Sequence, residues 1–283
     1  MTMMKKHTVL YSIIILLLFF CFPEVIISSS TSYYFRTLGI NDGLSQSTVN
    51  AILQDQKGFM WIGTKDGLNQ YDGQECRVFQ KENSSLGNNF ITALYEDCEG
   101  YIWVGTDAGV YIYNPVQEAF QFLDTEIASS GEKITRAVTW ITSDSQNNIW
   151  ISVDNQGLFC YNRGKKNLTK VVSCGKSGIA NVTHFWFYAG QLWIARYEDN
   201  LYVSKDNSSF NAFNDVDGED IFKGLVINSY VEGLHNCLYV GTSKGLMEIN
   251  LTSRKVRKLL DEYVRDICFR SDTDLWIGTE QGL

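Results

Sequence analysis

An all-β fold made of about six repeated four-stranded units is what this sequence predicts, and three observations carry that reading. A glycine-punctuated anchor recurs in register along the chain. The 283 residues hold 23 glycines but only two prolines, and the repeated segments lack the 3.6-residue apolar period of amphipathic helices. The anchor reads WIGTKDGLNQYD from Trp61, WVGTDAGVYIYN from Trp103, WISVDNQGLFCYN from Trp150, WIARYEDNLYVSK from Trp193, YVGTSKGLMEIN from Tyr239 and WIGTEQGL from Trp276, at spacings of 42, 47, 43, 46 and 37. Upstream residues hold the same phase: Val49, Ile52 and Asp55 recur as Ile91, Leu94 and Asp97, then as Val138, Ile141 and Asp144.

Within a unit the elements follow in order. TVNAILQD gives a first strand, QKG a turn, and FMWIGT a second strand whose apolar run suits burial. KDG reverses the chain into LNQYDG, and CRVFQKE supplies the fourth strand. Gly67, Gly109, Gly245 and Gly282 fall where a tight hairpin needs positive φ; Asn200 holds the comparable place in the fourth copy. The glycines before Thr64 and Thr106 allow a bulky neighbour to approach the backbone, and the tryptophans offer flat surfaces for packing sheet on sheet. A four-stranded sheet repeating every 40–45 residues is a blade of a β-propeller, here incomplete at its C-terminus.

The stretch DGLSQSTVNAILQDQKGFMWIGTKDGLNQYDG (42–73) resembles the two-component regulator propeller repeat, roughly V-x-x-I-x-x-D-x-x-G-x-x-W-I-G-T-x-x-G-L-x-x-Y-D. The resemblance covers essentially residues 33–283 and is weakest in copy four, where Gly-Thr becomes Ala195-Arg196. It implies the periplasmic sensor region of a membrane histidine kinase, often a hybrid one, that controls use of complex carbohydrates in Bacteroides-like bacteria. By the same resemblance the ligand is an oligosaccharide, the complete receptor is a homodimer attached to the inner membrane, and a β-sandwich, a transmembrane helix and a kinase core follow. The sequence stops at Leu283, just past the hairpin glycine of copy six, so the expectation is an N-terminal piece whose partners are the missing propeller, membrane and kinase regions. YYFRTL (33–38) resembles an outermost strand that would close the ring against the last blade.

Residues 1–30 read as a secretory signal: Lys5 and Lys6 precede an apolar run from Val9 to Phe22, and a small polar patch follows. That run is shorter than the roughly 20 residues a spanning helix needs. Residues 31–283 then form the partial propeller. The net charge is −8, and −9 without the first thirty residues, whose only charges are Lys5, Lys6 and Glu24; such a surface repels nucleic acid. Six cysteines outside the leader form no CxxC pair and read as buried free thiols. With two histidines in the exported part, no metal site is expected, and no cofactor either.

Catalytic signatures such as GxSxG and HExxH are missing from the sequence, and no catalytic residue is assigned. Asp55, Asp97 and Asp144 read as turn residues bonding local backbone N–H groups, DVDGED (215–220) as an exposed acidic turn, and TSRKVRKLL (252–260) as a solvated outer strand. The candidate site lies where the repeat breaks. The second hairpin is Gly-Thr-x-x-Gly or close to it in four copies, but SVDNQG in copy three and ARYEDN in copy four. Asp154, Asn155, Arg196, Tyr197 and Glu198 should therefore share one face, with Arg136 and His184 near the starts of the inner strands. Polar groups beside an aromatic ring suit a sugar. A secreted propeller enzyme, lyase or glycosidase, and a protein-interaction propeller remain the alternative functions.

Overall fold

The computed structural model describes residues 36–173, 182–207, 209–271 and 274–283. The blades lie within the compact unit Leu38–Leu283. The expected signal and the first part of YYFRTL lie outside the described residues, and residues 36–38 form no strand.

From Leu38 onward the described chain is a succession of antiparallel meanders. Blade one comprises β1 (Val49–Gln54), β2 (Met60–Thr64), β3 (Gly67–Tyr71) and β4 (Cys76–Phe79); blade two comprises β5 (Ile91–Glu96), β6 (Ile102–Thr106), β7 (Gly109–Asn114) and β8 (Ala119–Phe122). Blade three holds β9 (Val138–Ser143), β10 (Ile149–Val153), β11 (Gly157–Asn162) and β12 (Asn167–Ser173). Blade four holds β13 (Val182–Tyr188), β14 (Gln191–Arg196), β15 (Leu201–Ser204) and β16 (Asn211–Ala212). Blade five runs through β17 (Ile227–Glu232), β18 (Cys237–Thr242), β19 (Gly245–Asn250) and β20 (Lys255–Leu260), and a two-stranded sheet follows, β21 (Val264–Phe269) and β22 (Leu275–Thr279). The only helical turn among the described residues is a 3-10 turn at Ile40–Asp42. This is a β-propeller, with the first strand of each blade lying beside the first strand of the next.

The core is divided into layers between consecutive blades. Trp61 sits with Ile91, Val104 and Tyr113 between blades one and two, and its ring centroid is 5.0 Å from that of Tyr113. Trp103 meets Tyr161 at 5.6 Å and Trp150 meets Phe187 at 5.0 Å, each reaching the following blade. Each such ring removes on the order of 150–250 Å² from water, so the repeated aromatics dominate inter-blade adhesion.

Glycine makes that spacing possible. A Cβ on Gly105 would lie 2.8 Å from Val138 Cγ1, and one on Gly63 would lie 2.5 Å from Ile91 Cγ2. The first residue of each following blade therefore nests on bare backbone, as expected for both positions. Polar side chains secure the joint: Asn50 Nδ2 donates to the Ile91 carbonyl at 2.8 Å, and Asn228 Nδ2 to the Val264 carbonyl at 2.7 Å. Where blade three has Ser152 in place of the glycine, its hydroxyl joins that of Thr139 on the Val182 carbonyl, at 2.9 and 3.1 Å.

Two expectations need correction. Asn200 does not take up positive φ; in that hairpin Glu198 does, at 48°. The blade-four loop is one residue longer than Gly-Thr-x-x-Gly, as is that of blade three, where Gly157 stays left-handed at 113°; in blade four Asn200 is instead buried, its amide donating to Asp220. The cysteines are free but not buried: Cys98 and Cys268 are exposed and Cys76, Cys160 and Cys237 half-buried, while Cys174 lies outside the described residues.

Candidate functional site

The regular copies show what the repeat is for before the irregular ones depart from it. Asp55 Oδ1 accepts the backbone N–H groups of Lys57 and Phe59, and its Oδ2 accepts the Trp61 indole at 2.8 Å. Asp97 does the same for Glu99, Tyr101 and Trp103, and Asp144 for Gln146, Asn148 and Trp150. These aspartates are turn residues, as expected. The indole bond was not foreseen, although the constant six-residue interval between aspartate and tryptophan was its signal. At the opposite end of the strands, Thr64, Thr106, Thr242 and Thr279 each donate to the carbonyl of the hairpin glycine three residues on and accept an N–H from between. Gly67, Gly109, Gly245 and Gly282 have φ between 118° and 132°.

Copies three and four lose the threonine latch. In blade three Val153 replaces it, and the Asp154 N–H bonds to the Ala137 carbonyl at 2.8 Å. That bond ties the turn to the backbone next to Arg136, which is exposed in the segment entering β9. Asn155 is itself left-handed at φ 51°, and its amide donates to the Asp154 carboxylate at 3.0 Å. Gln156 Nε2 holds the same hairpin to the Lys133 carbonyl at 3.1 Å. The result is a braced turn that exposes a carboxylate and an amide, with the exposed Arg136 one residue from its backbone anchor.

Blade four carries the second group. Arg196 does not reach out: it pairs with Asp199, lies 5.5 Å over the Tyr202 ring and donates to the Tyr202 hydroxyl at 3.4 Å. Its guanidinium therefore replaces the lost threonine as an internal brace. Tyr197 is 54% exposed and Glu198 is exposed beside it, so these two supply the blade's free aromatic and acidic surface.

His184 stands apart from both loops. It pairs in register with Ala195 in the inner part of blade four, and its ring meets that of Trp140 from blade three at 4.7 Å. Burial pushes its pKa down to about 4, against the opposing pull of its bond to the Ile227 backbone, and its Nδ1 is sealed from solvent without a partner among the described residues. It is thus a neutral joint between blades rather than a group on the loop face. Next to it, burial raises the Tyr230 phenol, which stacks on Trp186 at 4.2 Å.

DVDGED forms a closed turn, with Asp215 Oδ1 accepting the N–H groups of Asp217 and Glu219. TSRKVRKLL contributes β20, the outermost strand of its blade, where Arg257 pairs with Glu248 at 2.8 Å.

Comparison with known proteins agrees with this architecture. The family model for the two-component regulator propeller matches residues 43–66, 85–108 and 258–281. The chain is 27% identical to the extracellular domain of a putative hybrid two-component system from B. thetaiotaomicron, with a TM-score of 0.72 over 88% of this chain and 34% of that one. Over 50 residues it is 42% identical to Histidine kinase P4 of Formosa agariphila, covering 18% of this chain and 4% of that protein. Virginiamycin B lyase from Staphylococcus aureus, 12% identical with a TM-score of 0.61 over 83% of this chain and 78% of the lyase, shares the fold. The chain thus spans about a third of the extracellular domain it resembles and a small part of the kinase.

Proposed function

We propose that this chain, which carries two-component regulator propeller repeats, is the N-terminal part of the extracytoplasmic sensor of a membrane histidine kinase, and that its ligand is an oligosaccharide. The observation that carries the reading is the alignment of 88% of the chain on the extracellular domain of a putative hybrid two-component system. The signal-like residues 1–30 favour export to the periplasm, with the parent receptor held in the inner membrane as a homodimer. On this reading residues 36–283 bind and transmit rather than catalyse.

Binding is assigned to the hairpin face of blades three and four, through Arg136, Asp154, Asn155, Tyr197 and Glu198, with Arg196 bracing the second hairpin and His184 joining the two blades beneath. A ligand spanning both hairpins would favour one relative placement of the blades, and only such differential affinity can signal. The test replaces Arg196 and Tyr197 by the Thr and Ser of copy five in the complete receptor, followed by calorimetric titration with candidate glycans. A tenfold or greater loss of affinity supports the assignment; unchanged affinity places the site elsewhere.

A further inference from the structure

At the other end of its strands blade four departs from the repeat a second time. In blades one to three the turn between the first two strands holds the aspartate that caps the indole. In blade four that turn shrinks to Ala189 and Gly190, with φ of 48° and 72°. Trp193 pairs with Trp186 as Trp61 pairs with Leu53, so the aspartate's place, two residues further on, falls to Tyr188. The Trp193 side chain is 3% exposed, and its Nε1 has no acceptor among the described residues.

Beside this uncapped tryptophan a cleft of about 550 Å³ opens between the turns of blades four and five, a volume in the usual range for small-ligand sites. Trp193, Phe213 and Tyr188 form its aromatic wall, and Lys205, Asn211 and Arg254 its polar one. The Arg254 guanidinium lies 5.2 Å over the Phe213 ring, on a backbone held left-handed at φ 59°. No carboxylate pairs with it among the described residues. The acid on the wall, Asp206, is already engaged by the hydroxyls of Ser204 and Ser209. The corresponding cleft between blades one and two has the opposite character, with six carboxylates against two cations. A chain of net charge −8 thus keeps a cationic, aromatic-walled cleft at the point where the repeat's own carboxylate has been lost.

We propose that this cleft binds a ring that has an apolar face and carries an anionic group. The ring lies against Tyr188 and the edges that Trp193 and Phe213 show to the cleft, and the anion meets Arg254 and Lys205. Uronic-acid sugars and aromatic carboxylates share this chemistry. The site is at the opposite end of the strands from the hairpin face and does not depend on the sensor reading.

The experiment is calorimetric titration of the full chain with a glucuronate-terminated disaccharide and its glucose-terminated counterpart, and with benzoate and benzyl alcohol. At least one acid should saturate, with its neutral counterpart at least tenfold weaker; which acid does so identifies the source. Arg254→Ala, at an exposed position, should weaken the acid at least tenfold without shifting the melting temperature. Tyr188→Asp, which restores the repeat's carboxylate, should abolish acid binding. No saturable acid binding, equal affinity for the neutral compound, or an Arg254→Ala variant that binds like wild type would each overturn the proposal. Glycan binding lost only through the Arg196 and Tyr197 substitutions would leave this cleft's titration unchanged, so the two readings fail separately.

Discussion

Replacing Asp97 by alanine removes the acceptor that fixes one blade's inner turn. Asp97 is 2% exposed and takes the Trp103 indole at 2.7 Å, the Glu99 and Tyr101 N–H groups at 2.9 and 3.1 Å, and Arg163 at 3.1 Å. Arg163 keeps a second partner, Glu99 at 2.6 Å, and the Glu99 N–H can reach water, so those losses are small. The indole and the Tyr101 N–H are left enclosed, and an orphaned buried donor costs about 1–3 kcal/mol. The variant should therefore lose about 3–5 kcal/mol, or roughly 10 °C in melting temperature at about 2–4 °C per kcal/mol for a domain of this size. Asp55→Ala, at a half-buried site, should lose about half as much. Urea unfolding followed by tryptophan fluorescence measures both, and a double-mutant cycle with Trp103→Phe isolates the indole bond, expected to couple by about 1–2 kcal/mol. A coupling indistinguishable from zero would refute the view that the aspartate exists to hold the tryptophan.

Other substitutions probe the remaining joints. Gly105→Ala drives a Cβ into Val138 and Ala93 at 2.8–3.1 Å and should destabilise by about 1–3 kcal/mol, read from the same urea curves. Gly245→Ala should be worse than Gly282→Ala: both have positive φ, but only at Gly245 would the Cβ meet a backbone oxygen, Leu260 O, at 1.9 Å. His184 has a folded pKa lowered to about 4, so between that value and its ordinary 6.5 the unfolded chain binds more protons. Stability should be full above pH 6.5 and fall by up to about 3 kcal/mol as pH drops towards 4, and His184→Gln should remove that component from denaturation curves recorded across the range. Asn228→Ala, which breaks the bond to the Val264 carbonyl, should speed hydrogen exchange in β21 more than in β5.

The architecture was legible because the repeat states it six times: one glycine-tryptophan unit in isolation is weak evidence, but phase held across six copies leaves few folds. The reasons for individual residues were legible where steric need is local, as at Gly63, Gly67 and Gly105. They were less so where a bond spans strands. The Asp–Trp pairing was written in a fixed interval that a turn reading alone had already explained. Arg196 and Asn200 were misjudged for one reason. Both depend on contacts within and beyond the hairpin: Glu198 takes the left-handed position, Asn200 is buried against Asp220, and Arg196 folds back onto Asp199 and Tyr202. The cleft beside Trp193 was hidden because it arises from a missing partner and from Arg254 in the following blade, which no motif links to it.

The sensor assignment is tested most directly in the bacterium that carries this chain. A strain with an in-frame deletion of residues 38–283 from the receptor would be grown on a panel of complex glycans, with transcription of the responsive carbohydrate-use genes measured against the parent. The account predicts that induction by the cognate glycan disappears while the kinase is still made and still present in the membrane. Induction that survives the deletion unchanged would contradict it.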